Sequence, residues 1–153
     1  MTQYTNKKRL YISTGVTQAF PKSIVNKNSV QEKINYFEKI KALFAGRKLV
    51  IISGSTVFDK IQYNVFEKAA SVINIFASSR HAWAQYDEIL AHAKTYSKDY
   101  TICAILGPAA TVLAYDLAQE GYTAWDIGHL AKWYDAFIKE GGITNPQNFF
   151  APD

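Results

Sequence analysis

The chain is nearly free of cysteine. Among its 153 residues only Cys103 is one, so no intrachain disulfide can form and a reducing, cytoplasmic setting is the expectation. No apolar run approaches the roughly 20 residues that cross a bilayer. The opening Met-Thr-Gln-Tyr-Thr-Asn-Lys-Lys-Arg lacks the apolar core of a secretion signal. There is no internal repeat, no low-complexity tract, no nucleic-acid-binding motif and no Gly-x-Gly-x-x-Gly. These absences exclude a disulfide-stapled scaffold and a membrane span, and they argue against nucleic acid as a partner.

What is present fits a globular chain. Hydrophobic residues make up 48% and charged residues 20%, enough for one sizeable core. The expectation is a single domain over 1–153, with 1–8 and 141–153 as peripheral tails. The net charge of +4 is spread along the chain apart from Lys7-Lys8-Arg9, which favours anionic ligands or surfaces without choosing among them.

The chain reads as alternating strands and helices. Arg9 to Thr14 is a short strand, and residues 15 to 28 form a loop. Ser29-Val-Gln-Glu32 has the spacing of a capping box that opens a helix. Val30, Ile34, Phe37, Ile40, Leu43 and Phe44 make its apolar stripe, with Lys33, Lys39 and Lys41 off it. Lys48 to Ile52 is a continuous apolar strand, as expected of a central, doubly covered position. A helix is expected over Val57 to Ala70, a strand over Val72 to Phe76, and a helix from Ala82 to about Tyr96 with Trp83, Tyr86, Ile89, Leu90 and Ala93 inward. Thr101–Leu106, Ala109–Glu120 and Tyr122–Trp125 form a βαβ unit, punctuated by Gly107-Pro108 and Gly121. A last helix runs from Leu130 to Lys139, its aromatic face suited to core or interface. Phe149 and Phe150 in the tail are expected to pack back on the domain or on a partner. Strand–helix alternation of this kind predicts an α/β, three-layer, Rossmann-like parallel sheet with helices on both faces.

Ligands of such sheets gather at the C-terminal ends of the strands. Ser53, Gly54 and Ser55 follow the first central strand. Ser78, Ser79 and Arg80 follow the next, and an arginine there can pair with a phosphate by a forked contact. Gly107, Pro108 and Thr111 follow the third, where free helix amides favour an anion. Asp126 stands nineteen residues beyond Gly107, where an acidic residue can take a ribose hydroxyl. His129 follows it. Spacing alone leaves two readings open at each position: nucleotide contact, or ordinary turn and cap chemistry. Cys103 reads as a small buried hydrophobe, and His92 as a surface residue.

Several stretches carry a resemblance. Leu106-Gly-Pro-Ala-Ala-Thr-Val-Leu-Ala-Tyr-Asp-Leu117, Gly121-Tyr122 and Asp126-Ile-Gly-His129 resemble the C-terminal signature of the GT-D-type bacterial glycosyltransferases. Tyr36-Phe-Glu-Lys-Ile40, Gly46-Arg47, Asn64 with Phe66, Ala82-Trp83 and Tyr86-Asp-Glu-Ile-Leu90 are similar to the family in the same order. The resemblance implies a Rossmann-like domain that transfers a sugar, typically glucose, from a UDP-sugar to a glycan or glycoprotein acceptor in cell-surface assembly. It implies a divalent metal (manganese or magnesium) held by Asp-x-Glu in the first half of a longer domain. This chain has neither Asp-x-Glu nor Asp-x-Asp and lines up with the second half. Ser53-Gly54-Ser55 replaces an acidic segment, and His81 stands where the family usually has Asn. By resemblance Asp126 and His129 are the catalytic candidates: Asp126 to hold a sugar hydroxyl or act as base, His129 to donate to the leaving group. The other six rim positions and Ser53, Gly54 and Ser55 are nucleotide-side, and no metal ligand is assigned. The alternative is a non-catalytic half that binds a nucleotide sugar or a partner chain that supplies the metal-binding half; the partners expected are a homodimer mate or such a partner chain.

Overall fold

The computed structural model describes residues 10–12 and 30–139. Five strands form one sheet: β1 (Leu10–Ile12), β2 (Lys48–Ser53), β3 (Ser71–Phe76), β4 (Tyr100–Ile105) and β5 (Thr123–Asp126). Their order across the sheet is β1-β5-β4-β2-β3, and every neighbouring pair is parallel. Four helices are described: α1 (Val30–Phe44), α2 (Tyr86–Ala93), α3 (Pro108–Gln119) and α4 (Leu130–Lys139).

The apolar runs of β2 and β4 explain the layering. Both strands are buried at every position after their first, because parallel strands joined by crossovers are covered on both faces. Leu49, Ile51, Cys103 and Trp125 point into one core with Phe37 and Phe44 of α1, Trp133 and Phe137 of α4, and Val65 and Phe66. Val50, Ile52, Ile102 and Ala104 point into the other with Ile89 of α2 and Leu113 and Leu117 of α3. Each large side chain so buried contributes on the order of 1.5–3 kcal/mol. The three-layer parallel architecture expected from the sequence is the one observed. The aromatic face of α4 is core: Trp133, Tyr134 and Phe137 are buried. Cys103 is fully buried, and burial pushes its thiol up to about 12, as suits an inert small hydrophobe.

Several local expectations need correction. Residues 57–70 do not form a helix; they fold as successive turns, with Val57, Asp59, Ile61, Glu67 and Ala69 amides donating to carbonyls three residues back. Two competing acceptors account for this. Asn64 Oδ1 takes the Phe66 amide at 2.8 Å, and Asp135 Oδ1 of α4 takes the amides of Gln62 and Tyr63 at 2.9 and 2.8 Å, so helical bonds are replaced by side-chain ones. The helix expected over 82–96 is shorter, α2 entered through a 3₁₀ turn at Ser79–His81. Trp83 before it is 58% exposed, not buried. On α1, Phe37, Ile40 and Phe44 are buried, while Ile34 and Leu43 are partly open. Lys41 is buried rather than solvent-facing: its Nζ lies 2.6 Å from Glu67 and over the ring of Tyr134. β3 exists as expected but is an edge strand, largely exposed. The expectations for 1–8, 15–28, Ser29 and 141–153, including Phe149 and Phe150, lie outside the described residues.

Candidate active-site rim

Because all five strands run the same way, their C-terminal ends share one edge of the sheet. Ser53 is level with Phe76 on one side and Ile105 on the other, and Asp126 is level with Ala104. After β2 the chain turns to the face that holds Val65 and Phe66, and after β4 to the face that holds Ala109 and Leu113. The two exits diverge between neighbouring strands, the kind of point at which ligands of open α/β sheets collect. The sequence-predicted residues do meet at this rim, but in two groups.

The first group surrounds a cavity of about 450 Å³ between the ends of β2 and β3, lined by Gly54, Ser55, Thr56, Ser78, Arg80 and Gln85 among others. The Ala77 amide donates to the Ser53 carbonyl at 2.9 Å and carries the ladder one step past the strands; the chains then part. Ser55, Thr56, Ser78 and Arg80 are among the lining residues, a composition suited to an anion. Ser53 does not join them. It is fully buried, and its hydroxyl donates to the Gly54 carbonyl at 3.2 Å, because the last strand position is still inside the sheet. Ser79 lies in the 3₁₀ turn.

The second group lies at the ends of β4 and β5. Asp126 is 2% exposed. It accepts from Thr111 Oγ1 at 2.7 Å and from the Gly128 amide at 3.2 Å. Burial raises its carboxyl above the usual range, and these two bonds and the nearby His129 only partly oppose that. His129 is half-buried, with its ring 6.2 Å from that of Trp133. Thr111 is thus committed to Asp126 rather than turned to the rim. Gly107 and Pro108 are exposed beside them. Gly107 adopts φ +59 and ψ −141, a region open to glycine alone, and this sharp exit lets Pro108 start α3 directly with no side chain capping its first amides. By strand spacing, Asp126 and the end of β2 are about 10 Å apart.

Sequence reasoning missed a second cavity of about 500 Å³ on the Phe66 face, which shares Ser55 and Phe76 with the first and includes Asn64 and Asn74. Asn74, a polar residue inside the apolar run of β3, was the signal available. Gly46-Arg47, one of the resembling blocks, lies at the opposite edge of the sheet. There Arg47 donates to the Leu43 carbonyl and to Thr101 Oγ1 and covers the Trp125 ring at 4.9 Å, a structural role.

The described residues do not suit a divalent metal. Among them no three His, Cys, Asp or Glu side chains gather. The rim carboxylate of Asp126 is already bonded to Thr111 and Gly128.

Residues 1–144 match the family described as the glycosyltransferase GT-D fold. The chain belongs to that family. Relatives of this GT-D chain include a protein of Streptococcus gordonii named probable glycosyl transferase Gly, 37% identical over 102 residues, and the glycosyltransferase GlyD of Streptococcus pneumoniae serotype 4, 33% identical over 108 residues. Those matches take in 67% and 71% of this chain but only 15% and 13% of the relatives. Two solved structures superpose well on this GT-D chain. The domain of unknown function 1792, described as having a distinct glycosyltransferase fold, gives a TM-score of 0.67 at 34% identity, covering 72% of this chain and 40% of that one. A new glycosyltransferase from Streptococcus sanguinis gives 0.66 at 32% identity, with 78% and 47% covered. No helix among the described residues of this GT-D chain is long and apolar enough to cross a membrane.

Proposed function

We propose that this chain serves as the donor-binding and catalytic rim of a glycosyltransferase that moves a glucose-type sugar from a UDP-sugar to a glycan or glycoprotein acceptor. The observation that carries the reading is an anion-suited cavity and, about 10 Å from the end of β2 along the same strand-end rim, a buried carboxylate, in a GT-D-family fold. Arg80, Ser78 and Ser55 receive the diphosphate, assisted by the exposed backbone amide of Gly107. Transfer needs a group that orients the acceptor hydroxyl and takes its proton as the anomeric bond forms. Asp126 suits this role, since burial raises its proton affinity while Thr111 and Gly128 fix its orientation. His129 stands beside it to donate a hydrogen bond to the leaving diphosphate.

A second reading has one specific support. The sequence lacks Asp-x-Glu and the described residues gather no metal donors, which favours a nucleotide-sugar-binding half completed by a different chain that carries the motif.

Calorimetric titration with UDP and UDP-glucose, with and without manganese, tests both. We expect binding that is indifferent to manganese, weakened about tenfold or more by Arg80→Ala, since a charge-assisted hydrogen bond contributes about 1.5–3 kcal/mol. The Asp126→Ala variant is expected to keep UDP affinity and lose transfer. Absence of UDP binding sinks the donor assignment, and transfer undiminished in Asp126→Ala sinks the role of the carboxylate.

A further inference from the structure

Just past the rim loop lies an aromatic surface that belongs to neither cavity. Trp83 is 58% exposed, and exposing so large an apolar side chain is unfavourable unless something covers it. It is not loose. Its ring stacks on that of Tyr86, centroids 5.9 Å apart and planes 29° apart. The Tyr86 hydroxyl in turn donates a hydrogen bond to Asp116 Oδ2 of α3. The platform is therefore held between two elements, α3 and the start of α2, before any ligand arrives. Val112, one helical turn from Asp116 on the same stripe of α3, is also partly exposed. Trp83 lines neither cavity, whereas Arg80 and Gln85 on either side of it in sequence line the rim cavity. It stands next to the donor site and outside it.

We infer that Trp83, stacked on Tyr86 and braced by Asp116, is the subsite that seats a pyranose ring of the saccharide acceptor. The chemistry of a hexose matches the surface. Its flat C–H face covers an aromatic ring, and its hydroxyl edge meets a carboxylate whose second oxygen, Asp116 Oδ1, has no hydrogen bond among the described residues. A nucleobase would also stack, but its ribose and diphosphate would have to leave the cavity that carries Arg80. This inference rests on the proposed transfer to a saccharide, and the test separates the two.

Of the three tryptophans, Trp125 and Trp133 are 1% exposed, so collisional quenching by iodide reads Trp83. The probes are maltose, cellobiose and N,N′-diacetylchitobiose, each titrated into the free chain and into the UDP-saturated chain. We expect at least one disaccharide to shield Trp83 from iodide, and UDP alone to leave the quenching unchanged. Trp83→Ala should abolish saccharide binding by calorimetry and raise the acceptor KM about tenfold, the size of a lost aromatic contact, while UDP affinity stays at the wild-type value. Trp83→Phe, which keeps a stackable ring, should restore most of the loss. Tyr86→Phe, which cuts only the tie to Asp116, should weaken saccharide binding by a smaller factor. Shielding by a disaccharide with no UDP binding supports the platform and removes the donor reading. UDP binding with no shielding by any of the three disaccharides overturns the platform. Shielding by UDP instead, or shielding that grows with protein concentration alone, also overturns it in favour of a base-stacking site or a contact between copies.

Discussion

Two buried aspartates in this molecule respond to pH in opposite directions. Asp126 has its proton affinity raised on folding, chiefly by burial. The folded state then holds a proton that the unfolded state has released, so the wild type loses stability as pH rises from the ordinary carboxylate value near about 4 through the raised one. An Asp126→Asn variant has no charge to bury. Its stability relative to wild type should therefore climb across that window, as thermal melts at pH 4, 5, 6 and 7 would record. Asp135 is the reverse case. Burial alone would raise it, but Lys139 at 2.8 Å and the amides of Gln62 and Tyr63 outweigh that and hold it below its ordinary value. Its contribution is complete above the unfolded value and disappears as pH falls through the lowered one. Asp135→Ala leaves two part-buried amides without their acceptor and should cost about 2–3 kcal/mol in a urea titration at neutral pH. Asp135→Asn should cost less, because one oxygen still accepts.

At the scale of elements, Gly107 separates backbone need from space. Nothing lies within 4 Å of a Cβ placed there, yet φ is +59. Gly107→Ala should destabilise by about 1–3 kcal/mol from backbone strain alone, readable as a fall in melting temperature without any steric clash. Elements of this kind, marked by local punctuation, were legible in the sequence. The apolar runs of β2 and β4, the Gly107-Pro108 start and Gly121 end of α3, and the Leu130–Lys139 periodicity of α4 all gave the observed elements. The segment over 57–70 was not legible, because its turns are set by Asp135, which is distant in sequence, and its own apolar spacing is helical. Trp83 was misplaced for a related reason: helical spacing assigned it an inward face, but the helix begins only at Tyr86. In the candidate site, the rim and the positions of Gly54, Ser55, Ser78, Arg80 and Gly107 followed from strand ends. That Ser53 is sealed inside, and that Thr111 is spent on Asp126, depends on side-chain directions that no spacing rule encodes.

For the molecule as a whole, the two edges of the sheet differ. β3 closes one edge with Val72 and Phe76 exposed and no charge in Ser-Val-Ile-Asn-Ile-Phe. Uncovered edges of that composition pair with other chains. The isolated chain should associate as its concentration rises, and Val72→Lys should suppress this in sedimentation velocity while leaving the melting temperature nearly unchanged. β1 closes the other edge with only three residues, and its pairing of Ile12 with Trp125 joins the two ends of the described chain. With three paired residues and one partner strand, β1 has the shortest ladder of the sheet and is expected to open first. Hydrogen exchange is expected to find it the least protected unit of the sheet. Each excursion uncovers the free flank of β5, the strand that ends in Asp126. The three-residue clip of β1 is thereby expected to set how often water reaches the neighbourhood of the Asp126 carboxylate.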